Sequence, residues 1–212
     1  MKRIATAMIA FGLLLFLFAC SSGEQKKSAG QPASEPAAPA APKTEAITGR
    51  LAFQNMYRAA RTWSPDGQGF RLESQPTADA TGVDGKSAVW RGRFGSASKG
   101  TAKPIMWSGS IDPDAPSKGL DTGGEDSFNA NNSSTRPFDI AFLKSDSDSA
   151  FKVAQEHGGK KILSKDAKTP VRYLLQWDPQ RNSLVWHVSY GERRDLTVSV
   201  NASTGEFIRV ER

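Results

Sequence analysis

Two histidines, His157 and His187, are the only imidazoles in the 212 residues, so acid–base chemistry at neutral pH would have to be built on one of them. His187 lies between Trp186 and Val188 in an alternating run, which places it opposite the tryptophan, beside Val185 and Ser189. A histidine base needs a nucleophile and an orienting carboxylate within hydrogen-bond reach, and no sequence signature supplies them. The chain has no Gly-x-Ser-x-Gly elbow, no His-Glu-x-x-His pair and no glycine-rich phosphate loop. Five acids between residues 112 and 137 invite comparison with a calcium loop, but the Asp-x-Asp-x-Asp-Gly spacing and the glutamate at position twelve are missing. A zinc site needs at least three protein ligands, and the chain has one cysteine. We therefore expect no enzyme activity, no cofactor and no metal; a hydrolase built on His187 ranks last among the alternatives.

Two arginines carry the other chemical possibility. Arg91 and Arg93 alternate with Trp90 and Phe94, so a basic stripe is expected on the face opposite the aromatic one. Such a stripe suits an acidic protein surface, lipid headgroups or glycan phosphates; the alternative is a solvated sheet face. The five tryptophans are expected to be core anchors first and interface anchors second, and Trp186 joins Arg91 and Arg93 as a candidate binding residue.

The single cysteine has its own meaning. Lys2 and Arg3 precede an apolar run from Ile4 to Phe18, then Ala19 and Cys20: a basic region, an apolar core and a small residue at a cleavage point. The run is short for a membrane span, which needs about 20 residues. Leu17-Phe18-Ala19-Cys20 resembles the lipobox of bacterial lipoproteins, in which the thiol is acylated and becomes the first residue of the mature chain. A thiolate is nucleophilic enough to take a thioether-linked diacylglycerol, and an added N-acyl chain makes the anchor firm. Ser21 stands where an aspartate would resemble an inner-membrane retention signal, so the resemblance implies the outer membrane of a Gram-negative envelope, facing the periplasm. Loss of residues 1–19 removes Lys2 and Arg3 and lowers the formal charge from +6 to +4. That excess is mild, and nucleic acid is not an expected partner.

The elements that must carry these residues begin after a tether. Residues 20–46 hold the lipidated Cys20 and a Pro/Ala-rich stretch without an aromatic residue, unable to bury enough apolar surface to offset its ordering entropy. Stretched at about 3.1 Å per residue, it would let the body stand up to roughly 80 Å from the membrane. From residue 47, Ala52, Met56, Ala59 or Ala60, and Trp63 fall on one face of a helix that Ser64-Pro65 ends. Alternating runs around Phe70, Trp90 and Ile105 follow, giving a first α+β unit over 47–111. Residues 112–137 form a linking loop. A second helix with acids at its start, at Asp146 and Asp148, opens the unit 138–212. Alternating runs from Val171, Leu184 and Leu196 and a last one from Phe207 complete it. The fold class is α+β: two helix-plus-antiparallel-meander units that pack together or share a sheet, since each alone would have a thin core.

Within the second unit, the helix from Asp148 to Ala154, the strand Trp186-His187-Val188 and above all the run Val198 to Glu206 resemble a PepSY domain, whose strands end in a comparable acidic-Ala-x-Thr-Gly-Glu turn. The usual aspartate of that turn is Asn201, and Gly158-Gly159 interrupts the helix region. The resemblance implies a helix packed on an antiparallel sheet, an envelope setting, and binding or restraint of peptidases without catalysis. Asn201, Thr204 and Gly205 are read as turn-forming residues, the glycine supplying a positive φ. The expected function is a non-catalytic envelope lipoprotein, membrane-held by its lipid, that binds or restrains a periplasmic protein or peptide, peptidases included. The alternative is a structural or assembly factor of the outer membrane.

Overall fold

Strand alternation and helical spacing produce the expected elements in the computed structural model, which describes residues 42–211; the signal segment, Cys20 and the tether up to residue 41 lie outside them. In chain order the elements are β1 (Ile47–Thr48), α1 (Gly49–Trp63), β2 (Gln68–Gln75), β3 (Lys86–Ser87), β4 (Val89–Ser96), β5 (Thr101–Ser108), β6 (Gly119–Thr122) and β7 (Asp126–Ser127). Then follow α2 (Ser147–Ala154), α3 (Lys160–Leu163), β8 (Val171–Asp178), β9 (Ser183–Tyr190), β10 (Leu196–Asn201) and β11 (Phe207–Glu211). The fold is α+β.

The two units share one antiparallel sheet. Its order is β11-β10-β9-β8-β2-β4-β5-β6, with β7 also paired to β5. The seam is the pair β2–β8, where Arg71, Leu72 and Glu73 face Gln176, Leu175 and Leu174. Each seam strand is the first long strand after its helix, so the halves are related by an approximate twofold axis through the sheet. Two tryptophans mark it. Trp90 lies beside Ser74 of β2 and Trp186 beside Leu175 of β8, each one residue past the pair Glu73–Leu174. Trp90 donates its indole N–H to the carbonyl of Ile47, and Trp186 donates to that of Ser145, both at 3.0 Å. Each acceptor sits two residues before its own unit's helix.

Both helices cover the same face of the sheet. Ala52, Phe53, Met56 and Ala60 of α1 and Ala150, Phe151 and Ala154 of α2 are buried in one core with Leu72, Trp90, Phe94, Ile105, Tyr173, Leu175, Trp186, Val198 and Val200. The helix starts are capped across the seam. Gly49 N–H donates to Ser147 Oγ and Arg50 N–H to Asp146 Oδ1, both at 2.8 Å, while Asp146 also accepts from Ser147 N–H. One carboxylate thus satisfies open amides of two helices.

Two boundaries differ from the sequence reading. The stretch 112–137 is more than a linking loop, because β6 and β7 within it extend the sheet along β5. Its exposure hid them: β6 and β7 bury no side chain, so they lack alternation. The second helix stops at Ala154 in a wide turn over Gln155–Gly159, with Gly158 at φ 115°, before α3 resumes. Packing explains the glycines there: a Cβ on Gly159 would lie 2.3 Å from the Tyr190 hydroxyl.

Candidate functional site

The face of the sheet that no helix of the described residues covers is the candidate site. Register places Arg71 and Glu73 of β2, Arg91 and Arg93 of β4, Arg172, Leu174 and Gln176 of β8, His187 and Ser189 of β9, Thr197 and Ser199 of β10, and Arg209 and Glu211 of β11 on it. Arg91 and Arg93 are exposed there, as alternation with Trp90 and Phe94 predicts. Arg93 pairs with Asp126 at 2.9 Å, whereas the side chain of Arg91 has no hydrogen bond or ion pair among the described residues. The expectation for Trp186 is corrected: it is 0% exposed and packs beneath the helices, so it cannot serve as a contact residue. Its neighbour across the seam, Trp90, is sealed equally and meets it edge to face at 6.3 Å.

His187 is more buried than its place on an alternating strand suggests, its side chain 14% exposed, and it has partners the sequence reading did not supply. Nδ1 lies 3.0 Å from Glu211 Oε1 and 3.1 Å from Ser199 Oγ; Ser199 Oγ donates to the same carboxylate oxygen at 2.5 Å, and Arg209 adds a contact at 3.2 Å. Ser199 lies directly opposite His187 on β10, and Glu211 reaches in from β11. The period-two pattern carried part of this signal, but the spacing of strands across turns did not fix which residues oppose each other. A serine, a histidine and a glutamate are thus together, yet not as a nucleophilic relay. That relay needs hydroxyl and carboxylate on opposite ring nitrogens. Here both meet Nδ1, the serine proton points to the carboxylate, and Ser199 is 1% exposed. The cluster instead pins β11, the sheet's edge strand, to β10 and β9.

The charges follow from this packing. Burial pushes His187 below its usual 6.5, outweighing the pull of Glu211. Burial works against the ionised form of Glu211, but Ser199, His187 and Arg209 together hold its carboxyl below the usual range. The imidazole is therefore neutral at pH 7, and since a carboxylate only accepts, Nδ1 carries the proton and Nε2 is left as an acceptor. Nε2 has no hydrogen-bond partner among the described residues and is not one of the sealed polar atoms, which are Arg50 Nε and Trp177 Nε1. A depressed histidine value means the folded state binds fewer protons than the unfolded chain below pH 6.5; the depressed glutamate value acts the same way below 4.5. Stability is therefore expected to be greatest above pH 6.5 and to fall as pH drops through the folded value of His187. Urea titrations from pH 8 to 5 check this: His187→Gln should flatten the slope in that window, and an unchanged slope would refute it.

Two hollows lie on this face. One, of about 260 Å³, is lined by Arg71, Glu73, Arg172, Leu174, His187 and Arg194 among others; the second, of about 320 Å³, by Glu73, Arg91, Arg93, Pro104, Met106 and Asp121 among others. They share Glu73, so together they cross the seam. No group of three or more His, Cys, Asp or Glu residues among those described could hold a metal ion. Other perturbed acids serve the scaffold. Burial opposes ionisation of Asp79, but Thr44, Thr77 and Ser110 hydroxyls and the Ile111 amide hold it well below the carboxylate range. It ties the start of the described chain to two loops.

No family model, no curated protein and no solved structure matches the chain. The likeness of residues 138–212 to a PepSY domain thus rests on the residues that carry it. In the structure those turn residues serve the backbone: Asn201 Oδ1 accepts from Ser203 and Thr204 N–H at 2.8 and 3.1 Å, and Gly205 takes φ 79° while donating to Asn201 O at 2.8 Å. No helix among the described residues is long and apolar enough to cross a membrane.

Proposed function

We propose that this chain is a non-catalytic, lipid-anchored envelope protein that holds or restrains a periplasmic protein or peptide on the helix-free face of its sheet. The observation that carries this reading is the fusion of both units into one sheet with α1 and α2 on the same side. Among the described residues no helix packs on the opposite face, and two adjoining hollows line it across the seam. A sheet face that lacks a packed layer and presents arginines is suited to a partner surface, arginine being enriched where proteins recognise each other. The lipobox at Cys20 and the tether supply attachment and reach, and the PepSY resemblance supports restraint of a peptidase as the kind of action.

The test is retention of an envelope partner by the mature chain made with Cys20→Ser. Arg91→Glu with Arg93→Glu on the open face should abolish retention at micromolar concentration and leave the thermal midpoint within a few degrees. Equal retention by the wild type and this variant would count against the face, and no retained partner would count against the function. Deletion of residues 22–40 separates this from a spacing role: a recruited restrainer still binds in solution, whereas a spacing element loses its effect.

A further inference from the structure

The smaller hollow has a chemistry of its own. Beyond the pair Glu73–Leu174 the seam ladder parts, and the N–H of Tyr173 donates to the Ser74 hydroxyl at 2.9 Å. The strands separate there, and Ser74 and Tyr173 join the lining. Three guanidinium groups border the opening, with unequal commitments. Arg71 is occupied, its Nε and Nη2 on Glu73 at 3.1 and 2.9 Å and its Nη1 on Gln176 at 3.3 Å. Arg172 spends Nη1 on the Gly191 carbonyl and Nη2 on Glu192, leaving Nε. The side chain of Arg194, on a residue at φ 56° in the turn after β9, has no hydrogen bond or ion pair among the described residues. The two carboxylates of the lining are engaged: Glu73 by Arg71, and Glu211 by Ser199, His187 and Arg209. Uncompensated positive charge is therefore left at Arg194, while Arg172, paired with Glu192, keeps its Nε free for a further acceptor. Beside it stands the unbonded Nε2 of His187, an acceptor.

We propose that this hollow seats an acidic residue of an extended peptide, its carboxylate on Arg194 and Arg172 and a main-chain N–H on His187 Nε2. Guanidinium groups match carboxylates in geometry and charge. The imidazole acceptor favours a peptide: the ionised oxygens of a phosphodiester or sulfate group only accept, whereas a peptide supplies a main-chain N–H beside its carboxylate. Size agrees. At about 260 Å³ the hollow falls below the roughly 300–1,000 Å³ of sites that enclose a whole small molecule, so it fits one or two residues of a longer chain. The second hollow continues the path across Glu73 toward Arg91 and Met106. This inference rests on the proposed binding face and adds the chemistry that the face reads.

Fluorescence anisotropy on the full chain in a non-ionic detergent tests it, with three labelled decapeptides that alternate threonine with glutamate, glutamine or lysine. The glutamate peptide should bind about tenfold tighter than the glutamine one, a difference of about 1.4 kcal/mol. Arg172→Gln with Arg194→Gln should erase that preference; Arg194→Gln alone, at an exposed turn, carries the test if the pair impairs folding. Equal binding of the glutamate and glutamine peptides overturns the carboxylate site and leaves the binding face standing. Binding of none of the three overturns both. Phosphatidylglycerol vesicles form the second arm: if the arginine variants lose vesicle binding while the peptides show no preference, a lipid headgroup is the ligand and the peptide proposal falls.

Discussion

Trp186→Ala is expected to lower the unfolding free energy by about 3–5 kcal/mol, the range for removing a fully buried large aromatic side chain. Against a typical total of about 5–15 kcal/mol this takes the chain to the margin of folding. Three losses add up at that position. The indole is sealed and meets Trp90 at 6.3 Å and Tyr173 at 6.5 Å, both edge to face. Its N–H holds the Ser145 carbonyl just before α2, so the helix start loses its tie to β9. Gly49 also sits against this ring, so closely that a Cβ added there would fall 2.5 Å from it, and α1 loses its seat as well. Trp90→Ala should cost a similar amount because it occupies the equivalent place in the first unit. The double variant should cost less than the sum, because the two rings touch and share one cavity. Urea denaturation measures all three, and a loss below about 1 kcal/mol for Trp186→Ala would contradict a core role.

Gly82→Ala is the second large effect, expected at about 3 kcal/mol or more from a left-handed backbone conformation and a steric clash together. Gly82 has φ 90°, and an added Cβ would stand 2.0 Å from the Val171 carbonyl, a backbone atom that cannot swing aside. The surrounding bonds tie the two units: Val171 N–H donates to Thr81 O at 2.8 Å, and the buried Tyr173 hydroxyl donates to Gly82 O at 2.6 Å while accepting from Gly85 N–H at 3.1 Å. Shifting this loop therefore loosens β8 at the seam. Gly100 is the control, since it also has a positive φ, 65°, with nothing within 4 Å of an added Cβ. Gly100→Ala should cost only the conformational part, about 1–2 kcal/mol. Equal losses at the two glycines, read from thermal or urea unfolding, would show that the contact with Val171 contributes nothing.

Much of the scaffold was legible because period and punctuation are local. The face of α1, the alternation of Trp90 and Phe94 with Arg91 and Arg93, and the turn at Asn201, Thr204 and Gly205 each depend on residues a few positions apart. β6 and β7 were not legible, because an exposed strand that borrows its pairing from β5 needs no apolar alternation of its own. The assignment of Trp186 as a contact residue failed for a related reason. Alternation tells which residues share a face but not which face the helices cover, and both helices cover the tryptophan side.

The candidate site was the least legible part. Arg91 and Arg93 could be found because they neighbour each other on one strand. Ser199 and Glu211 could not be joined to His187, because that depends on the registers of β9, β10 and β11 together. The same holds for Arg172 and Arg194, which line one hollow with Arg71 only because β8 adds to β2.

By itself the sequence determined the local chemistry: a thiol placed behind an apolar segment, a Pro/Ala-rich stretch without aromatic residues, two helices with apolar stripes and strands with one apolar face. The tertiary structure decided what those faces meet. Two thin α+β units become one sheet because each leaves the edge of its first long strand unpaired, and antiparallel pairing of β2 with β8 satisfies both edges at once. That long-range pairing buries the tryptophans on one side and gathers the arginines, His187 and Glu211 on the other.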